Sequence, residues 1–214
     1  MAKSSAGDRT AGLFLIGPAA ASVVAMAHHP SGAHAGGLGG LVHGTMIVLL
    51  ALMAFGFLHF ARRCGLGRPP VLAGLVAYAI SLFAHVGAAT INGFVVPALA
   101  ARGPGAVGHD VLLLAWEANQ ALARLGVFAT GAAFLLWSAD LQRAPGGERR
   151  LIGLAGMAAG GLPAVLLAGG WIRMDVAGAF AVYAAHAAWA ALVGLHLMRG
   201  GLDAGAANAA ADAS

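Results

Sequence analysis

Apolar residues gather along this chain into six long blocks, separated by short intervals rich in glycine, proline, histidine or charge. Crossing roughly 30 Å of hydrocarbon takes about 20 residues of helix, and each block comes close to or exceeds that length. The pattern predicts helices over residues 11–27, 41–61, 71–99, 110–139, 151–172 and 176–198. The intervals are chemically plain. His28 to Gly40 is a Gly/His loop, and Arg62 to Pro70 ends on a Pro-Pro pair. Arg102 to His109 contains Gly103-Pro104-Gly105, Arg143 to Arg150 is charged, and Arg173 with Asp175 marks a tight turn. The expected fold is therefore all-α, a single bundle of six transmembrane helices over residues 1–200. An Ala-rich polar tail, residues 201–214, is expected to be disordered.

Composition agrees with lipid as the main solvent. Hydrophobic residues make up 60% and charged residues 9%, against about 25% charged in soluble domains. The sequence expectation is a multi-pass protein of the bacterial inner (plasma) membrane. Placing the N-terminus inside puts Lys3, Arg9, Arg62, Arg63, Arg68, Arg143, Arg149, Arg150 and Arg199 on the cytoplasmic side. Only Arg102 and Arg173 fall outside, and Arg124 lies within a span. That bias is the one cytoplasmic loops carry, and it puts both termini in the cytoplasm. The net charge of +4 serves orientation and anionic headgroups rather than nucleic acid, because no basic cluster is interleaved with aromatics. The lone Cys64 excludes an intramolecular disulfide and any cysteine-based zinc or iron–sulfur site.

The first block has a second reading. Lys3, Arg9, the apolar stretch and Ala25-Met26-Ala27 resemble a cleavable signal. The stretch is longer than the 7–15 residues of a signal core, so a retained helix is expected. A weak internal match also stands out. Leu58-His59-Phe60-Ala61-Arg62 and Leu195-His196-Leu197-Met198-Arg199 end helices 2 and 6, while Leu15-Ile16-Gly17 and Leu151-Ile152-Gly153 precede them at nearly equal distances. Chance in a chain rich in Leu, Gly and Ala is the favoured explanation of such a match over common descent or a shared structural role.

Ionisable groups within the spans invite a reason, since each costs about 2.5–3.5 kcal/mol at the bilayer centre. At about 1.5 Å per residue, His85, His186 and Arg124 all lie roughly 20–24 Å from the cytoplasmic anchors. His43, Asn92, Glu117 and Gln120 form a layer nearer the outer face. Tyr78, His85 and Asn92 share one face of helix 3 at intervals of seven, and Glu117, Gln120 and Arg124 share one face of helix 4. Tyr183 neighbours His186 on helix 6. The pattern predicts a buried polar seam between helices 3, 4 and 6, leading outward from the middle of the membrane.

Several roles fit such a seam. Structural glue is one, with Glu117 neutralising Arg124 and the other groups hydrogen-bonding across helices. Binding or passage of a small polar or ionic species is the leading functional expectation. It would use His85, Asn92, Glu117, Gln120, Arg124 and His186 as a ligand or proton pathway. Asn92-Gly93 and Pro97 would break helix 3 at that site. A second expectation is haem b, with His85 and His186 as axial ligands and Arg124 facing a propionate. A third is a transition metal held on the outer side by His28, His29, His34, His43 and His109, whose spacing matches no fixed metal motif. His59 and His196 read as interfacial residues. Expected partners are the lipid bilayer and possible further membrane subunits or a second copy. Nucleotide-binding and hydrolase motifs are absent from the sequence, which leaves no catalytic residue to assign.

Overall fold

The structure is a computed structural model that describes residues 4–29, 38–103, 105–143 and 146–202. Among these residues there is no strand, and six helices are long and apolar enough to cross a membrane. They are α1 (Ala6–Ala27), α2 (Leu38–Cys64), α3 (Pro69–Ala100), α4 (His109–Arg143), α5 (Gly147–Ala168) and α6 (Val176–Met198). All six expected helices are present, and the differences lie at their ends.

Those end differences have local causes. α1 begins earlier than hydropathy suggests because Ser5 and Asp8 form a reciprocal cap. The Ser5 hydroxyl accepts from the Asp8 N–H at 3.1 Å, and the Asp8 carboxylate accepts from the Ser5 N–H at 3.2 Å. α5 stops at Ala168, short of residue 172, because Gly170 turns the chain at φ +73°, a conformation open to glycine. α3 is widened rather than broken. Pro97 has no N–H to donate to the carbonyl of Gly93 and its ring crowds that oxygen. Residues Ile91–Val95 instead form a π turn, with the Val96 N–H bonded to the carbonyl of Ile91. At the C-terminus, Gly201 and Leu202 belong to the bundle rather than to a tail. The Gly201 carbonyl accepts from the Arg149 guanidinium at 2.6 Å, and Leu202 packs on the core. Residues 203–214 of the expected tail lie outside the described residues.

Consecutive helices are neighbours, and α6 returns along α1 to close a ring. Small residues permit the closest approaches, as is usual where membrane helices pack. A Cβ on Gly12 would meet the carbonyl oxygen of Gly194 at 2.6 Å. α1 is fully part of this ring, with Ala11 and Leu15 completely buried.

The up-and-down order brings the starts of α1, α3 and α5 together with the ends of α2, α4 and α6. This is the Arg-rich end, and helix-to-helix ion pairs strap it. His59 contacts Asp8 at 2.8 Å and Arg63 contacts it at 3.1 Å. Arg68 meets the buried Asp140 at 2.7 Å. His196 contacts Glu148 at 3.1 Å, with Arg199 at 4.0 Å. The matched histidines thus have a common structural use, while the arginine beside Asp8 is Arg63, one residue beyond the matched Arg62. In both hairpins, α1–α2 and α5–α6, a histidine and a following arginine near the end of the second helix grip a carboxylate at the start of the first.

Above these pairs, aromatic rings fill the interior. Phe57 sits among Tyr78, Trp137, Phe134 and Trp189, with centroids 4.9, 5.4, 5.6 and 5.8 Å away. The two indoles are fixed by hydrogen bonds to backbone carbonyls, Trp137 to Val71 at 3.1 Å and Trp189 to Ile152 at 2.9 Å. Side chains from α2, α3, α4 and α6 therefore meet in one packed layer across the Arg-rich half.

Candidate functional site: a cavity at the Arg-poor end

The opposite half is not filled. A cavity of about 300 Å³ opens there, walled by the end of α1, the start of α2, the outer part of α3, the outer part of α4, the α5–α6 turn and the first two turns of α6. Its polar groups are His29, His43, His85, Asn92, Asn119, Gln120, Asp175 and Tyr183, and Met26, Met46 and Met174 contribute thioethers. Leu50, His85 and Tyr183 lie deepest along their helices, next to the aromatic layer. The cavity is consequently blind: it has a mouth at the Arg-poor end and a packed floor.

Each wall residue is held by identifiable contacts. His85 is buried, its Nδ1 is 3.4 Å from the Tyr183 hydroxyl, and its ring lies against Gly126 of α4. A Cβ on Gly126 would come within 2.5 Å of that ring, so a hydrogen at residue 126 is what lets the imidazole occupy the α3–α4 seam. One turn deeper, the Ser81 and Thr130 hydroxyls hydrogen-bond each other between the same two helices. Asn92 reaches the cavity from within the π turn of α3, whose extra residue re-aims the helix face there. Gln120 donates to the carbonyl of Met174 at 3.2 Å and so ties the α5–α6 turn to α4. Asp175 caps α6 by accepting from the Gly178 N–H at 2.9 Å. At the mouth, the Nε2 atoms of His29 and His43 approach to 3.3 Å, with their rings nearly perpendicular.

The seam expected from the sequence is thus realised in part. His85, Asn92 and Gln120 share the cavity, as do His29 and His43. Glu117 and Arg124 do not, because both are exposed on the outside of α4. Helical spacing aligns both with Gln120, but they lie on the exposed side of that face and Gln120 at its inner edge. His186 is buried beside the cavity but not in it. It packs edge-on to Phe134 at 5.2 Å and borders a separate space of about 20 Å³ that Tyr183 also lines. Its Nε2 has no hydrogen-bond partner. His85 and His186, the pair named for haem b, thus border different spaces, and Arg124 is exposed on α4. His28 is exposed with its Nδ1 2.9 Å from the carbonyl of Val24, and His109 is exposed at the start of α4. His34 lies outside the described residues. Among the described residues, no group of three or more His, Cys, Asp or Glu side chains is arranged to hold a metal ion.

Sequence reasoning passed over Met26, Met46, Met174, Trp116 and Asn119. Asn119 is the clearest omission, a buried amide flanked by the more conspicuous Glu117 and Gln120. The methionines carried a signal of their own: Met26 precedes His29 by three residues, and Met46 follows His43 by three. Comparison with family models, curated proteins and solved structures finds no match to this chain. Fold and site define a bundle of six helices long and apolar enough to cross a membrane, with a polar-lined cavity toward one end and packed aromatic rings toward the other.

Proposed function

We propose that this chain is a multi-pass protein of the bacterial inner membrane that binds a small polar or ionic species in the blind cavity. In this reading both termini lie in the cytoplasm, because the arginines crowd the end where they meet. The cavity then faces away from the cytoplasm. The observation that carries the reading is the division of the interior. Imidazoles, amides and a tyrosine hydroxyl line one half, and closely packed aromatic rings close the other. Binding sites take this form, a concave space with a few convergent polar groups. Passage would need the aromatic layer to part, so binding is the simpler use of the fold.

Thiol accessibility tests it. In a Cys64→Ser background, Asn119→Cys is expected to react with a membrane-impermeant maleimide applied from the non-cytoplasmic side, while Phe57→Cys stays unreactive from either side. Reaction of residue 119 only from the cytoplasmic side overturns the orientation, and no reaction in folded protein overturns the open cavity.

A second reading, as a subunit packed against another membrane chain, draws on Glu117 and Arg124. Charged groups on the outer face of a spanning helix are costly against lipid and are ordinarily turned toward protein or a water-filled space. Native mass spectrometry from membranes tests this reading, and a single 21.2 kDa chain as the only species removes it.

A further inference from the structure

The mouth of the cavity has a symmetry that the rest of the wall lacks. α1 runs toward the Arg-poor end and α2 runs back, so the end of one lies beside the start of the other. On the outgoing arm of this helical hairpin the order is Met26 then His29, and on the returning arm it is His43 then Met46. Each pair is separated by three residues, which puts methionine and histidine on the same side of the backbone one turn apart. The His29 N–H bonds back to the carbonyl of Met26 at 3.2 Å, so that turn persists past the end of α1. All four side chains line the cavity, and both methionines are buried. Across the hairpin, the two Nε2 atoms stand 3.3 Å apart.

That separation is the edge of a tetrahedron built from metal–nitrogen bonds of about 2.0–2.1 Å. Two Nε2 atoms so placed can ligate one ion without moving apart. The neighbouring donors decide which ion. Thioethers are soft and uncharged, and they select Cu(I) among common biological metals. Imidazole suits copper equally well. Zn²⁺ draws instead on thiolate, imidazole and carboxylate. Asp175, the carboxylate of the cavity wall, already caps α6.

We propose that His29, His43, Met26 and Met46 form a site for a single Cu(I) ion at the mouth of the cavity. The proposal rests on the cavity being an open ligand site, as argued above, and it names the class of ligand. The ion enters from the Arg-poor end, and the methionines supply the inner half of its coordination shell.

The test is a Cu(I) titration of the full-length Cys64→Ser protein in detergent under anaerobic reducing conditions, in competition with a chromophoric Cu(I) chelator. One Cu(I) per chain is expected. Met26→Leu and Met46→Leu keep side-chain volume, so the fold stays intact, and each is expected to weaken Cu(I) binding by at least about tenfold. His43→Ala is expected to abolish binding, and His109→Ala to leave it unchanged. Zn²⁺ binding, measured in parallel, is expected to be weaker and indifferent to both methionine changes. Cu(I) left entirely on the chelator by folded protein overturns the site, as does Cu(I) affinity unaltered in both methionine variants. Failure here is distinguishable from failure of the cavity reading. If Asn119→Cys still reacts from outside while copper does not bind, the cavity stands and the metal falls.

Discussion

The Asp8 carboxylate and the His59 imidazole meet at 2.8 Å across the α1–α2 hairpin, and the carboxylate is 1% exposed. The corresponding acid of the α5–α6 hairpin, Glu148, contacts His196 at 3.1 Å, yet its side chain is 55% exposed. The two closures share a design but differ in solvation. Asp8 also completes the α1 cap and holds Arg63, whereas Glu148 reaches His196 with Arg199 at the edge of contact.

Removing the two acids therefore has unequal consequences. Asp8→Ala is expected to cost about 2 kcal/mol, combining a lost cap with lost charge-assisted hydrogen bonds. Glu148→Gln is expected to cost less than about 1 kcal/mol, as exposed ion pairs do. Thermal unfolding in detergent compares them, and equal losses would show that burial of Asp8 does not set its contribution.

The α3–α4 seam makes a sharper prediction. Gly126→Ala places a methyl where the His85 ring now lies. Overpacking of this kind costs about 1–3 kcal/mol. The displaced imidazole is expected to enter the cavity and slow maleimide reaction of Asn119→Cys several-fold. Gly17→Ala, whose added Cβ meets nothing within 4 Å, is the control. A rate unchanged by Gly126→Ala would mean that His85 does not form the cavity floor.

Phe57 is fully buried at the centre of the aromatic layer. Phe57→Ala is expected to destabilise the bundle by about 3–5 kcal/mol, the range for deleting a buried aromatic. It is also expected to make Ala133→Cys, otherwise sealed, reactive toward a small thiol reagent. Stability loss without new reactivity would show that neighbouring rings collapse into the gap.

The π turn of α3 follows from Pro97. Pro97→Ala restores an N–H that can bond the carbonyl of Gly93, and the helix is expected to revert to regular α geometry through residues 91–95. Removing that extra residue rotates Asn92 out of the cavity wall. Asn92→Cys should react with maleimide in the parent and much more slowly beside Pro97→Ala. Equal rates would assign the π turn to some cause other than Pro97.

Hydropathy and chain breaks make the six helices legible in the sequence, because a span needs only length and apolarity to declare itself. Their ends were less so: the Ser5–Asp8 cap and the turn at Gly170 are decided by hydrogen bonds and one backbone angle. The polar seam was half legible. Periodicity put Tyr78, His85 and Asn92 on one face, and that face does look inward. The same argument aligned Glu117, Gln120 and Arg124, yet only Gln120 reaches the cavity, since spacing cannot say which way a face points. The aromatic layer escaped notice altogether. Phe57, Phe134, Trp137 and Trp189 read as ordinary apolar residues, and their convergence depends on which helices are neighbours. His59 and His196, expected at the interface from their arginine neighbours, each also close a hairpin, a contact that spacing alone does not announce.

The blind shape of the interior has a kinetic consequence. A vessel with one mouth has no throughput: whatever enters must leave by the same door, and a second guest waits for the first. Exchange is then governed by what stands at that door, where the His29 and His43 imidazoles meet.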